Sequence, residues 1–171
     1  AAKVFALNSG LAAYTIHRKI YRERAYTGID GSFSLNDNLH ADTLFLVDES
    51  SMISNGMGEG QTFGSGCLLD DLMQFVYSGR NCRIMFIGDN AQLPPVGESE
   101  SPAMSKQMIE GYGMTVYQAH LDEVVRQGAD SGILYNATAI RLMATRNEAT
   151  MMPRIRLKGF ADVEVVRGDE L

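Results

Sequence analysis

Two short apolar runs dominate the hydrophobic pattern, Thr43-Leu-Phe-Leu-Val47 and Arg83-Ile-Met-Phe-Ile87. Each breaks abruptly into acidic and turn-forming residues, Asp48-Glu49-Ser50-Ser51 and Gly88-Asp89-Asn90. Apolar runs of this length without alternation predict strands buried on both faces, as in a parallel sheet. Both strands then deliver carboxylates to the carboxyl edge of that sheet, where open α/β folds place their ligands. Between them Leu68, Leu69, Leu72, Met73 and Val76 recur at helical spacing and predict a helix with one buried face. Further helices are predicted over 3–8, stopped at Ser9-Gly10, over 13–24, fading into Thr27-Gly28, and over 105–110, ending at Gly111. A last helix spans about 131–146 on a stripe of Ile133, Leu134, Ala137, Ile140 and Leu142, and a strand is predicted over 115–120. Residues 31–39 alternate around Asn36-Asp37-Asn38, the signature of a short hairpin. From Met151 the pattern changes, and Arg154, Arg156, Lys158 and the alternating Val163-Glu164-Val165 predict a linker and strand leaving the preceding domain. The alternation of helices and strands makes the chain α/β.

The acids carry the candidate chemistry. Thr43 to Glu49 looks like a Walker B strand, in which Asp48 holds a Mg²⁺ ion and Glu49 orients the water that attacks a γ-phosphate. The same Asp-Glu pair also suits a solvated strand end or a helix N-terminus, so context decides. Gly88-Asp89-x-x-Gln92-Leu-Pro-Pro-Val96 supplies that context. It resembles motif III of superfamily 1 helicases, where a Gln beside the γ-phosphate couples nucleotide state to the DNA track. Pro94 and Pro95 make the segment after Gln92 a stiff, extended loop. Asp89 either bonds that loop or touches nucleotide, and the sequence allows both.

Further segments extend the resemblance. Ala13-Tyr14-Thr15-Ile16-His17-Arg18-Lys19 resembles the Thr-Ile/Leu-His-Arg motif near the DNA track, and Leu121-Asp122-Glu123-Val124-Val125-Arg126-Gln127 resembles motif IV. The opening Ala1-Ala2-Lys3-Val4 resembles the tail of the Gly-Arg-Ala-Ala stretch of motif Ia. In order and spacing, from Ala1 to about Arg146, these elements resemble the RecD-like branch of superfamily 1 DNA helicases, which includes the alpha subunit of exodeoxyribonuclease V. The resemblance implies a partial RecA-like P-loop NTPase domain over 1–150, with a parallel sheet flanked by helices and the first (Walker A) strand and helix missing. A small hairpin over about 29–41 belongs to it, and 151–171 form a linker and the start of the following domain. It implies ATP and Mg²⁺ as cofactors of the parent protein, with Asp48 on the metal through water, Glu49 on the attacking water, Gln92 on the γ-phosphate and Arg126 as an arginine-finger-like group. One Arg after Val-Val also suits a salt-bridge partner. Thr15, His17, Arg18, Pro95 and Val96 would face single-stranded DNA, tracked 5′ to 3′, and Phe33 or Leu35 would lie near the tip of a strand-separating pin. A plain surface hairpin fits residues 31–39 equally. Implied partners are the rest of the helicase chain, with its Walker A segment and second RecA-like domain, and recombination or repair subunits in a bacterial cytoplasm.

No G-x-x-x-x-G-K-[ST] occurs in the sequence. The Gly-rich stretch from Asn55 to Gly66 has no Lys and carries Glu59, which would repel phosphate, so it reads as a mobile loop. A Walker A unit would lie roughly 30 residues before Ala1, the length of one βαβ unit. The chain is therefore expected to be a fragment of a larger motor, with open sheet edges and no tight hold on ATP by itself. Its 171 residues, 45% hydrophobic, suffice for one core. A net charge of −6 excludes a global field for nucleic acid and confines DNA contact to local patches. The best patch is His17, Arg18, Lys19, Arg22 and Arg24 interleaved with Tyr14, Tyr21 and Tyr26, which equally describes a solvated helix face. Cys67 and Cys82 lack C-x-x-C spacing and the His residues are scattered, so neither a disulfide framework nor a zinc site is indicated. No apolar run is long enough to span a bilayer, and the terminal Gly-Asp-Glu-Leu reads as a cut end rather than a retention signal. The rival reading is a non-catalytic DNA- or protein-binding module with a degenerate motor fold. A conjugative relaxase-linked helicase shares the same motifs.

Overall fold

The structure, a computed structural model, describes residues 2–23, 33–56, 63–121, 123, 128, 130–145, 152–166 and 168. The chain forms two compact units, 1–117 and 118–171.

In the first unit, helix α1 (Ala2–Ser9) ends where expected, with Gly10 at φ +69° and its N–H bonded to the Ala6 carbonyl at 3.1 Å. The helix expected over 13–24 is much shorter. It is confined to α2 (Ile16–Ile20), entered through Thr15, whose Oγ1 accepts the Arg18 N–H at 3.4 Å. Tyr21 then leaves the helix for strand β1 (Tyr21–Glu23). Long-range contacts override helical propensity there, because Tyr21 pairs with Leu35 and its hydroxyl finds a buried acceptor in Asp71. Strand β2 (Phe33–Leu35) is the antiparallel partner of β1, so the ribbon joins 21–23 to 33–35 and not two strands around residues 36–38. Asn38 has other work: its Nδ2 donates to the Phe75 and Val76 carbonyls, both at 3.0 Å, which stops the following long helix. Residues 29–32 of the expected hairpin, Gly31 among them, lie outside the described residues.

Strands β3 (Leu44–Val47) and β4 (Arg83–Phe86) pair in parallel, Leu44 with Arg83 through Val47 with Phe86. They are not buried on both faces as their composition predicted. Phe45, Ile84 and Phe86 pack against the core and Val47 is buried, whereas Leu44, Leu46, Met85 and Ile87 are 52, 46, 48 and 42% exposed. Side chains alternate across a strand, and among the described residues only one face of this pair is covered. The cover is helix α3 (Leu68–Ser78), the crossover between them. Its Leu69, Leu72, Met73, Phe75 and Val76 are all at most 3% exposed, while Leu68 of the expected stripe is only half-buried. One-turn 3₁₀ helices follow each strand, Ser50–Met52 after β3 and Pro102–Met104 after β4, and α4 (Lys106–Glu110) follows. Residues 115–120 form no strand.

The second unit is built on α5 (Gly132–Thr145). The apolar stripe that predicted it does not form its buried face. Ile133, Ile140 and Leu142 are largely exposed, and Gly132 and Asn136, one turn apart, are buried. Segment 152–166, expected to lead away as a linker and strand, bonds to this helix without forming a strand. Asn136 donates to the Arg156 carbonyl at 2.9 Å and accepts its N–H at 2.8 Å. Asp162 caps the helix, taking the Ser131 hydroxyl at 2.6 Å and the Gly132 N–H at 2.8 Å, bonds that in this order hold its carboxyl below the usual range. A side chain at Gly132 would strike the Phe160 ring at 2.4 Å, so the contact requires glycine.

Candidate nucleotide-hydrolysis edge

Parallel pairing brings the two acidic segments together. Ile87 donates its N–H to Val47 at 2.8 Å, and Ser50 donates to the Ile87 carbonyl at 2.9 Å, so the ladder continues past both strands and straddles Asp48-Glu49. Asp48 and Glu49 are exposed at this carboxyl edge. The Asp48 Oδ1 accepts the Glu49 N–H at 3.0 Å. Glu49 itself is left-handed, φ 55° and ψ 38°, a conformation few side chains adopt readily. That turn starts the 3₁₀ helix, whose Ser50 Oγ donates back to the Val47 carbonyl at 2.8 Å. Gly88 faces this turn so closely that an added Cβ would lie 2.8 Å from the Ser51 nitrogen and from the Met104 sulfur. The glycine lets the two strand ends approach.

Asp89 bonds its own loop. Its Oδ1 accepts the Ala91 N–H at 3.0 Å and its carbonyl accepts the Gln92 N–H at 3.0 Å, an Asx-type turn that presents Gln92 to solvent. Leu93 and Val96 beyond it are 88 and 103% exposed, and Pro95 is half-buried. The fourth expected catalytic residue, Arg126, lies outside the described residues.

On the DNA-track motif, Thr15, His17 and Arg18 are exposed on α2. Thr15 serves as the helix cap. The His17 ring lies edge-on to Phe63, 5.1 Å between centroids, and tilted against Tyr21 at 5.6 Å. Phe63 stacks on Phe33 at 4.5 Å, so Phe33, like Leu35, packs inward within the paired ribbon and is half-buried. Lys19 reaches His40 Nε2 at 2.7 Å and lies over the Tyr14 ring, and Arg22 pairs with Asp37 at 3.2 Å. Arg24 and Tyr26 of the basic patch are not described.

Pattern reading missed the residues that hold these segments in place. Asp71, 3% exposed in α3, accepts the Tyr21 hydroxyl at 2.7 Å and the Ser65 N–H at 3.0 Å. Burial, followed by this bond and the Asp71 charge, pushes the Tyr21 phenol far above its ordinary range. Gly64 sits at φ +50° where a Cβ would lie 2.0 Å from the Asp71 carboxylate, so this peg needs a glycine beside it. Asp70 accepts from Asn55 Nδ2 at 3.1 Å and from the Tyr112 hydroxyl. Burial first, and then Asp70, raises the Tyr112 phenol, and burial with the nearby Asp70 and Asp71 raises the Cys67 thiol. An acid inside a leucine-rich helix is the one sequence signal that marked Asp71. Its partner 50 residues away is invisible to local pattern.

A broad cavity of about 600 Å³ is lined by Asn55, Asp70, Glu100, Met108 and Tyr112 among others. It holds none of the expected nucleotide residues, and its acidic wall is unsuited to phosphate. No group of three or more His, Cys, Asp or Glu able to hold a metal occurs among the described residues. Mg²⁺ fits the edge nonetheless, because it is bound through one or two exposed carboxylates together with phosphate oxygens and water, and Asp48 offers such a carboxylate. No helix among the described residues is long and apolar enough to cross a membrane.

A family model for the AAA domain matches residues 1–153, and no curated protein and no solved structure matches the chain. The match spans both acidic segments, and the helices with their small parallel sheet are compatible with part of an α/β P-loop fold. The chain thus belongs to the AAA domain family of helicase-like P-loop NTPases, which generally use ATP and Mg²⁺.

Proposed function

We propose that these residues form part of the first motor domain of a RecD-like DNA helicase, which couples ATP hydrolysis to 5′ to 3′ movement on single-stranded DNA in recombination or repair. The observation that carries this reading is the parallel β3–β4 ladder, which delivers Asp48-Glu49 and Asp89-x-x-Gln92 to one edge in a chain of the AAA domain family. Phosphoryl transfer needs little covalent help from the protein. It needs positioned water, neutralised charge and a sensor of the γ-phosphate. In this assignment Asp48 holds the metal through water, Glu49 orients the attacking water, Gln92 contacts the γ-phosphate and Arg126 neutralises charge on the same group. Bound Mg²⁺ would neutralise phosphate oxygens. Exposed Thr15, His17 and Arg18 form one DNA contact, and Pro95 with Val96 forms the other.

The test is made on the natural full-length protein. Single-stranded DNA should stimulate its ATP turnover, and it should displace a strand from a duplex with a 5′ overhang and not from one with a 3′ overhang. Turnover indifferent to DNA would refute the helicase assignment, and unwinding from the 3′ overhang would refute the direction.

A further inference from the structure

We infer that Glu98 is a positioning residue that straps the downstream end of the Gln92 loop to the segment following Asp48-Glu49, and that nucleotide-dependent DNA affinity requires this strap. The inference rests on the helicase reading and deepens it. The Glu98 Oε1 accepts the Ser54 hydroxyl at 2.5 Å and the Asn55 N–H at 3.2 Å. The Ser54 Oγ in turn accepts the Gly56 N–H at 3.0 Å, so its bonding is committed on both sides. Asn55 is fixed as well, donating to Asp70 at 3.1 Å and accepting the Asp70 N–H at 3.3 Å at the start of α3. Charge-assisted bonds of this kind are short and about twice as strong as neutral ones.

The placement of the strap gives it a role beyond local stability. Gln92 leaves β4 through the Asp89 turn, and the loop then runs through Leu93, Pro94, Pro95, Val96 and Gly97 to Glu98, whose N–H bonds the Pro95 carbonyl at 3.1 Å. The prolines fix two φ angles, so the arch is stiff, and Leu93 and Val96 on it face solvent. A stiff arch passes a displacement on only if both ends are held. One end is held by β4, and among the described residues Glu98 is the charged anchor of the other. Three residues further on, Ser101 repeats the connection, sharing its hydroxyl proton between the Ser50 and Ile53 carbonyls at 2.8 and 2.7 Å. The second acidic edge is thereby stitched to the residues that follow the first.

In the natural full-length protein, the ratio of single-stranded DNA dissociation constants between the ADP and non-hydrolysable ATP-analogue states is measured for wild type, Glu98→Ala, Glu98→Gln and Ser54→Ala. Coupling free energies correspond to roughly 5- to 150-fold ratios, so Glu98→Ala should move the ratio at least about fivefold toward unity while ATP turnover without DNA stays within about twofold of wild type. Glu98→Gln keeps an oxygen that accepts from both donors and should retain most of the ratio, and Ser54→Ala should fall between. A ratio undiminished in Glu98→Ala overturns the inference, as does a Glu98→Gln protein as deficient as Glu98→Ala. Where Glu98→Ala does not fold, an undiminished ratio in Ser54→Ala overturns it. A wild-type ratio of unity refutes the helicase reading itself, an outcome separate from either.

Discussion

Tyr21→Phe should destabilise the first unit by about 1.5–3 kcal/mol, the usual worth of a hydrogen bond to a charged group. The perturbation deletes one oxygen and keeps the ring that packs against His17 and Phe63. Tyr21 is 7% and Asp71 3% exposed, their oxygens are 2.7 Å apart, and water has little access to replace the lost bond. Asp71 keeps the Ser65 N–H at 3.0 Å, which sets the loss below that of Asp71→Ala, where two donors are stranded and about 3–5 kcal/mol is expected. For a unit of this size the Tyr21 change corresponds to a fall in Tm of roughly 5–15 °C. Urea melts followed by circular dichroism give the energy, and a double-mutant cycle with Asp71→Asn isolates the pair. The phenol's folded pKa is raised above its unfolded value near about 10, so the bond contributes fully below about pH 10 and is lost as pH rises beyond it. Wild type should therefore lose stability above pH 10 more steeply than Tyr21→Phe. A loss under about 0.5 kcal/mol, with no coupling to Asp71, would refute the peg.

In the full-length protein, Glu49→Gln should leave Mg-ATP binding near wild type and lower turnover by orders of magnitude, since the interaction it removes operates mainly in the transition state; wild-type turnover would make Glu49 a plain strand-end residue. Gln92→Ala should shrink the nucleotide-dependent change in DNA affinity while affinity without nucleotide holds, and an undiminished change would leave Gln92 as part of a turn. Asp162→Asn should weaken the α5 cap at neutral pH. The folded Asp162 pKa is depressed, so its contribution is present above the ordinary carboxylate range and lost as pH falls below about 4; thermal melts of both proteins should converge there, and a difference that persists in acid would reject the assignment.

The sequence made the elements with local causes legible. The acid steps after the apolar runs marked β3 and β4, the leucine spacing marked α3, and Ser9-Gly10 marked the end of α1. Elements decided by distant partners were not legible. Tyr21 reads as helix until its hydroxyl is seen on Asp71, and Asn38 reads as a turn residue until it is seen on the carbonyls of α3. The stripe of α5 misled because the tight contact with 152–166 runs through a glycine and an asparagine, residues that hydrophobic periodicity ignores. Residues of the candidate edge were named from motif spacing, while Glu98, Ser54 and Ser101 were missed because their bonds span more than 40 residues.

The left-handed backbone at Glu49 sets two filters on that position that pull in opposite directions. Folding favours Gly, Asn or Asp at φ near 55° and disfavours β-branched side chains such as Val, Ile or Thr. The proposed water-orienting role needs a carboxylate and rejects Gly and Asn outright. A saturation library at codon 49 of the full-length gene, sorted once for abundance and once for complementation, should then give two different rankings. Gly and Asn should rise in the first and vanish from the second, and Asp, acceptable to the backbone but with a shorter reach, should be the substitution on which the two sorts come closest to agreeing.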